Sequence, residues 1–531
     1  MKRFLTFVAG ACLLATASLS AQDAFVRVHD AGTGVTIPAE IYGQFSEHLG
    51  RCIYGGLWVG KDSSVPNVEG YRKDVFDALK ALKVPVMRWP GGCFADDYHW
   101  MDGIGPQEKR GYLTNNNWGG TLEDNSFGTH EFLNLCEMLG IEPYISGNVG
   151  SGSVEEMAKW VEYMTSDAKT PMADLRRANG REKPWKVKYF GIGNEAWGCG
   201  GNMTPEYYSD LFRRYGTYLR DQGDNRLYKI ASGASDYDYN WTRVLMKNLE
   251  GKGMAGISLH YYTCKGWTGS KGSATKFTDK DYWWTLSKTI EVEPVIKKHI
   301  EIMDELDPSG NVGLLLDEWG TWFDVEPGTN PGHLYQQSTM RDAIVAALNF
   351  DIFHKYTRRL KMANIAQVVN VLQSMILTDQ EGTGHMVLTP TYHVFEMYTP
   401  FQEATYLPLD LESEVKAVSR GYYKEKKKAL DEGYRPCPLL SASAAKTQDG
   451  SIVLAVTNVS LDKDQTIDFN IAGFNAKTVS GRILTSNKAD DFNDFKHPNV
   501  VAPKAYNDAK LNKGVLTVKI PAKSIIVLNI K

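Results

Sequence analysis

A rhythm of short apolar runs constrains this chain more than any other feature. The runs are Ile41–Glu47, Pro85–Trp89, Pro143–Asn148, Val187–Glu195, Lys229–Ser235, Gly256–Tyr262, Val312–Trp319 and Ile365–Leu372. Between them, apolar residues return at the period of one helix face, as at Val75, Leu79 and Leu82 or at Phe132, Leu135 and Leu139. Strands alternating with helices in this way predict a (β/α)8 TIM barrel over residues 37–400. An open doubly wound sheet shares the alternation. However, no GxGxxG turn follows any of these runs, so the usual mark of a nucleotide-binding sheet is missing.

Beyond residue 400 the period falls to two. Ser451–Val456, Thr466–Ile471, Thr478–Leu484, Gly514–Ile520 and Ile525–Ile530 alternate between turns rich in Asn, Asp, Gly and Lys. They predict an antiparallel, jelly-roll-like β-sandwich over 401–531. Phe25-Val-Arg-Val28 alternates too, so the segment 22–36 is expected to add a strand to that sandwich. Residues 263–281, rich in Gly, Ser, Thr and Lys, read as a loop at the barrel rim. A long amphipathic helix is expected from Asp281 to Leu306, stopped by Asp307-Pro-Ser-Gly310.

Lys2 and Arg3 precede an apolar stretch, Phe4–Leu14, and then small residues to Ala21. This reads as a signal peptide over 1–21, cleaved between Ser20 and Asp23, and implies a secreted or periplasmic protein. No later stretch is long and apolar enough to span a membrane. The formal net charge is −4, which argues against nucleic acid as a partner, since that binding needs a basic patch. The cluster Lys424-Glu-Lys-Lys-Lys428 is short and reads as a solvated loop. Cys52, Cys93, Cys136, Cys199, Cys264 and Cys437 lie beyond the leader, with no CxxC pair and no zinc spacing. Cys93, Cys199 and Cys264 each follow a strand end, so both a disulfide and unpaired packing thiols stay open.

The C-terminal strand ends of such a barrel carry its active site. Strand four leads to Gly193-Asn-Glu195 and strand seven to Asp317-Glu-Trp319. Taken alone, an Asn-Glu pair says little, and an acidic pair could simply cap a helix. Two glutamates three strands apart at one barrel end are the machinery of glycoside hydrolysis. One protonates the leaving oxygen and the other attacks the sugar carbon, and in a retaining enzyme the two carboxyl groups stand about 5 Å apart. Glu195 is the expected acid/base and Glu318 the expected nucleophile, with no metal or organic cofactor. Asn194 offers an amide to a sugar hydroxyl, and Trp319 an apolar wall for a sugar face. Arg88 ends strand two beside a Pro-Gly-Gly turn and is suited to orient a carboxylate. Glu47-His48 ends strand one. His260-Tyr-Tyr262 ends strand six, where Tyr262 is placed to donate to the nucleophile.

Longer motifs sharpen this reading. Ile41-Tyr-Gly-Gln-Phe-Ser-Glu-His-Leu-Gly-Arg-Cys-Ile-Tyr54, Arg88-Trp-Pro-Gly-Gly92, Tyr98-His-Trp-Met-Asp-Gly-Ile-Gly-Pro106, Gly193-Asn-Glu195, His260-Tyr-Tyr262 and Asp317-Glu-Trp319 occur in this order. Together they resemble glycoside hydrolase family 51, most of whose members are retaining α-L-arabinofuranosidases. The resemblance implies that Glu195 is the acid/base and Glu318 the nucleophile, and that Glu47, Arg88, Asn194, His260 and Tyr262 line the terminal-sugar subsite. Two departures stand out. Many relatives have Asn where this chain has Cys93. Many also carry a glutamine near the end of strand eight, where this chain reads Met386-Val-Leu-Thr-Pro390. Both positions touch the sugar in relatives, so here those contacts are either missing or supplied by neighbours such as Asp96 or His385. The activity implied is an exo-acting α-L-arabinofuranosidase working on arabinose-containing oligo- or polysaccharides. Relatives often form hexamers or other homo-oligomers. The rival readings are a retaining endo-β-glucanase or β-xylosidase of the same barrel clan, and a carbohydrate-binding protein with a dead barrel.

Overall fold

The computed structural model describes residues 24–29, 34–379, 383–419, 433–471, 474–512 and 514–531. The leader 1–21 and the cluster 424–428 lie outside the described residues.

Eight strands close a parallel barrel. They are β1 Gly43–Phe45, β2 Val86–Trp89, β3 Glu142–Gly147 and β4 Tyr189–Ile192. The second half comprises β5 Tyr228–Ser235, β6 Gly256–Thr263, β7 Gly313–Thr321 and β8 Leu360–Ala366. The seam closes where Asn364 and Ala366 of β8 pair with Gly43 and Phe45 of β1. β7 is buried along its whole length, as a parallel strand covered on both faces must be. Its register against β6 slips between Ser258 and His260, and against β8 between Leu316 and Trp319. A slip of this kind breaks the strict in-out alternation of a strand, and it falls on Asp317-Glu318.

The eighth strand starts earlier than the run Ile365–Leu372 suggested. Lys361 and Asn364 interrupt the apolar pattern of the true strand. The run that follows it, including Val368, Val369, Val371 and Leu372, is buried as irregular chain. Its apolar content reports burial rather than strand geometry. Several helices start on a side-chain cap: Ser153, Thr170, Thr204, Asp238, Thr278 and Thr389 each cap an N-terminus by accepting a backbone N–H. The long helix expected over 281–306 is two helices, Asp279–Ile290 and Val292–Leu306, broken at Glu291. Glu291 pairs there with Arg435 and accepts from Tyr237 Oη at 3.0 Å.

The C-terminal part is a sandwich of a five- and a six-stranded sheet. Ala24–Val28 lies inside the first sheet, antiparallel to Leu409–Leu411 and parallel to Gln465–Ile471. That parallel pair is a departure from an otherwise antiparallel sandwich. Leu440–Lys446 is a sandwich strand with little sequence signal, because Ser and Ala fill most of it. The sandwich packs on the barrel through the helix Met340–Lys355. Asp351 accepts from Ser441 Oγ at 2.6 Å and Tyr398 Oη at 3.0 Å, while His354 Nδ1 lies 2.8 Å from Ser443 Oγ and its Nε2 2.7 Å from Tyr42 Oη.

Burial pushes the Asp351 carboxyl up to about 7. The folded value thus lies above the unfolded one, near 3.9. Above that unfolded value the unfolded chain gives up the proton more readily than the fold does. Stability is therefore lost as pH rises between about 4 and about 7. Asp351→Asn keeps the shape without the charge, so its melting temperature should rise relative to the parent by a few degrees as pH goes from about 4 to about 7. A difference that stays constant with pH, followed by calorimetry, would show that this carboxyl does not titrate in the interface.

Candidate active site

Arg88 is 1% exposed and points from β2 into the barrel mouth. It donates to Glu318 Oε1 at 2.7 Å, to Asn194 Oδ1 at 2.6 Å and to Ser146 Oγ at 3.1 Å, with its guanidinium 4.5 Å from the Phe45 ring. Burial works against the cation, but Asp317 and Glu318 overcome it and raise its pKa further. The other oxygen of Glu318 accepts from Tyr262 Oη at 2.8 Å. Both oxygens of this carboxylate are thereby fixed.

Asp317 faces the same interior as Glu318, which the bulge in β7 permits. It accepts from Tyr144 Oη at 2.7 Å, and its oxygens lie 3.7 Å from Arg88 Nε and 3.1 Å from His260 Nε2. Burial would raise its pKa, but Arg88 and His260 lower it. His260 faces three carboxylates. Its Nδ1 lies 2.8 Å from Glu195 Oε1 and 3.4 Å from Glu318 Oε2. Burial favours the neutral ring, yet Glu318, Asp317 and Glu195 together push its pKa up to about 10. His260 is therefore an imidazolium at neutral pH.

Glu195 follows β4 by a tight turn with φ at +39°, a left-handed conformation that non-glycine residues seldom adopt and that clusters at working sites. The turn is closed by Gly198 and Gly200 donating to the Glu195 carbonyl, and by Ala196 N donating to Ser232 Oγ at 3.1 Å. An oxygen of Glu195, an oxygen of Glu318 and a ring nitrogen of His260 all lie within 4.8 Å of one another.

Glu47 forms the opposite wall. It accepts from Gly92 N at 3.0 Å, Phe94 N at 3.2 Å, Trp118 Nε1 at 2.9 Å and Gln367 Nε2 at 2.8 Å. Burial, aided by Glu318, pushes its pKa up to about 7 despite these donors. The Pro-Gly-Gly turn has no room for side chains here. A Cβ on Gly91 would sit 2.7 Å from Glu47 Cγ, and one on Gly92 would sit 2.9 Å from Glu318 Oε1.

Four expectations need correction. Trp319 is not a sugar wall. It is 1% exposed and points outward from β7, packing on Phe350, Phe353 and Phe395 with ring centroids 5.7, 5.3 and 6.2 Å away. The bulge turns the two carboxylates inward and leaves the tryptophan on the helix side. The aromatic surface at the mouth is Tyr262, Trp322 and the exposed Trp267, stacked edge-on at 5.1 and 5.4 Å. Cys93 does not present a thiol to a sugar, because its sulfur is joined to Cys199. A glutamine is not missing at strand eight: Gln367 directly follows β8 and holds Glu47. Residues Met386–Leu388 instead pair with Ile376–Thr378 in a separate hairpin. Gln367 leaves His385 no missing contact to supply, and the His385 ring faces Thr383 Oγ1 at 3.1 Å; Asp96 is buried and one of its oxygens accepts from Val149 and Gly150 N at 3.0 Å. Asp317, Tyr144, Gln367, Cys199 and Trp322 thus join the site. The signal for Gln367 was its place directly after a buried strand. The loop 263–281 is pinned over the mouth by Asp324, which accepts from Lys271 N at 2.7 Å and Gly272 N at 3.1 Å. His48 stays structural: it stacks on Phe94 and Tyr98 and receives Trp89 Nε1 at 3.2 Å.

Comparison with known proteins settles the family. The α-L-arabinofuranosidase 1 domain matches residues 78–279, and the α-L-arabinofuranosidase C-terminal domain matches 317–524. An intracellular exo-α-L-arabinofuranosidase of Bacteroides ovatus is 62% identical, covering 99% of this chain and 99% of its own. The chain belongs to glycoside hydrolase family 51, the α-L-arabinofuranosidases. The solved family 51 arabinofuranosidase of Xanthomonas axonopodis pv. citri superposes with a TM-score of 0.90 at 46% identity, covering 96% of this chain and 100% of the other. The Thermotoga maritima α-L-arabinofuranosidase, solved with arabinose, gives 0.81 at 30% identity, covering 95% and 99%. The expectation of a secreted or periplasmic protein is overturned by the Bacteroides relative, which is named intracellular and aligns over almost the whole chain. A basic start followed by an apolar stretch is a compositional signal and does not by itself establish export. Among the described residues, no helix is long and apolar enough to cross a membrane.

The crowding at Gly92 gives a direct test. Gly92→Ala would drive a methyl group against Glu318 and should lower kcat/KM on an aryl α-L-arabinofuranoside about 100-fold while leaving the melting temperature within a few degrees. Parental kcat/KM would show that the turn has slack.

Proposed function

We propose that this family 51 enzyme releases terminal arabinofuranosyl residues by double displacement, with Glu318 as nucleophile and Glu195 as acid/base. The observation that carries this reading is the closeness of the two carboxyl groups, whose oxygens lie within 4.8 Å of each other. Retaining glycosidases hold the pair about 5–5.5 Å apart, whereas inverting ones leave about 6.5–9.5 Å for a water.

Glu318 attacks the anomeric carbon while Glu195 protonates the departing oxygen. Glu195 then draws a proton from water, which releases the sugar from Glu318 with net retention. Arg88 and Tyr262 aim the attacking oxygens. Asn194, held by Arg88, and Glu47 offer polar atoms to the sugar hydroxyls. So does Gln367, whose Oε1 is buried and has no hydrogen-bond partner among the described residues. The 62% identical Bacteroides ovatus relative, named an exo-α-L-arabinofuranosidase, supports exo action. Arabinose-containing plant oligo- or polysaccharides are the substrate class that fits.

Azide can test the division of labour on aryl α-L-arabinofuranoside. Glu318→Ala should lose at least roughly 10⁴-fold in kcat, and azide should restore turnover with an inverted glycosyl azide. Glu195→Ala should lose about 10²–10⁴-fold and give the retained azide. Exchanged products would reverse the two roles. Cleavage of aryl β-cellobioside or β-xyloside in preference to the arabinofuranoside would favour the endo-glucanase or xylosidase reading.

A further inference from the structure

Cys93 lies in the loop after β2 and Cys199 in the loop after β4, and their sulfurs are joined with a Cα–Cα distance of 5.5 Å. The pair sits against Glu195, whose Oε2 is 3.5 Å from Cys199 Sγ and 4.0 Å from Cys93 Sγ. The two sulfurs and a Glu195 oxygen all lie within 4.8 Å of one another, and Cys199 is exposed. We propose that Cys93, Cys199 and Glu195 form a redox-gated site for a thiophilic divalent cation such as zinc, closed while the sulfurs are joined and open when they are reduced.

The geometry supports each ligand. In a tetrahedral zinc site with Zn–S near 2.3 Å and Zn–O near 2.1 Å, a sulfur and an oxygen ligand stand about 3.6 Å apart. The carboxylate already stands at about that distance from both sulfurs. Two sulfur ligands stand about 3.8 Å apart, a widening that side-chain rotation supplies once the S–S bond is gone. Water fills the fourth position. The remaining described cysteines, Cys52, Cys136, Cys264 and Cys437, are buried and do not compete from solvent.

The chemistry balances. A dithiol reductant gives two electrons and two protons, breaks the S–S bond and becomes a disulfide itself, leaving two cysteine thiols. Zinc then displaces those two protons as it binds. Joined sulfurs carry no thiolate and cannot bind it. In a reducing compartment such a pair is mostly dithiol, so the gate stands open there and availability of the cation decides occupancy. A cation on Glu195 Oε2 prevents that carboxyl from giving or taking a proton. This consequence rests on the acid/base role proposed for Glu195, whereas the binding itself does not.

Cadmium reports the site through its thiolate charge-transfer absorption, and zinc reports it through turnover. The full chain is titrated with each ion, before and after treatment with a phosphine reductant that is then removed. The expected result is one cadmium bound per chain with the thiolate band only after reduction, and turnover of aryl arabinofuranoside lowered at least tenfold by zinc and restored by a chelator. The band should vanish in the Cys93→Ser, Cys199→Ser double variant and weaken at least tenfold in affinity in Glu195→Gln. Absence of the band in the reduced parent, or a band and inhibition that persist in the double variant, overturns the site. Equal binding before reduction overturns the gate. A band with unchanged turnover leaves the site standing and overturns the acid/base role of Glu195.

Discussion

The buried charge cluster around Arg88 is the interaction on which the rest of the structure depends. Two cations, Arg88 and the His260 imidazolium, face Glu318, Asp317 and Glu195 among largely buried side chains, with Glu47 beside Glu318. Withdrawing each ion from water costs several kcal/mol, and attraction offsets this only when the geometry is held closely. The barrel supplies that hold. Each member of the cluster sits at or just after a different strand end: Glu47 after β1, Arg88 on β2, Glu195 after β4, His260 on β6, and Asp317 with Glu318 on β7. Closure of the sheet fixes their separations, and a shift in any one strand leaves a buried charge without its partner.

The sandwich supports this arrangement from outside. The helix Met340–Lys355 is buried from Met340 to His354, because the barrel lies on one side and the sandwich on the other. A helix covered all round loses the amphipathic pattern of a barrel helix, and its polar residues must find partners within the interface. Asp342 accepts from Thr321 Oγ1 at 2.8 Å, tying the helix to the end of β7, and Arg341 donates to the Ala274 carbonyl at 2.9 Å between the rings of Phe277 and Phe323. The strand that carries the proposed nucleophile and the loop over the mouth are thus braced by one helix, which in turn rests on the sandwich.

The fold class was legible because parallel strands and amphipathic helices leave periods that a sequence displays. Glu195, Glu318, Arg88 and His260 were legible as site candidates because strand ends are. Positions set by local irregularity were less visible. Alternation alone cannot place Asp317, Glu318 and Trp319, since a bulge sends two consecutive carboxylates inward and the tryptophan out. Gln367 was hidden by a misplaced strand eight, whose apolar signal came from buried irregular chain beyond it. The pairing of Cys93 with Cys199 needs the two loops in space, across a sequence separation of 106. The basic and apolar start, by contrast, was plain to read, and the expectation of export drawn from it is the one overturned by the relative named intracellular.

The placement of His260 explains how so charged a pocket can support a two-step reaction. Under the proposed roles, Glu195 loses a proton with the leaving group as Glu318 loses its charge to the glycosyl bond. The total charge of the cluster does not change. One negative charge moves from the Arg88–Tyr262 side to the Cys199 side, and His260 Nδ1 lies between, 3.4 Å from one carboxylate and 2.8 Å from the other. Asp317 holds the far nitrogen of the ring, so the imidazolium need not turn to follow the charge. Stabilisation by dipoles and ions already in position needs little reorganisation during the reaction. That is the physical reason for surrounding this histidine with three acids. With Asp317 fixing its orientation, the same cation serves the charge before and after it moves.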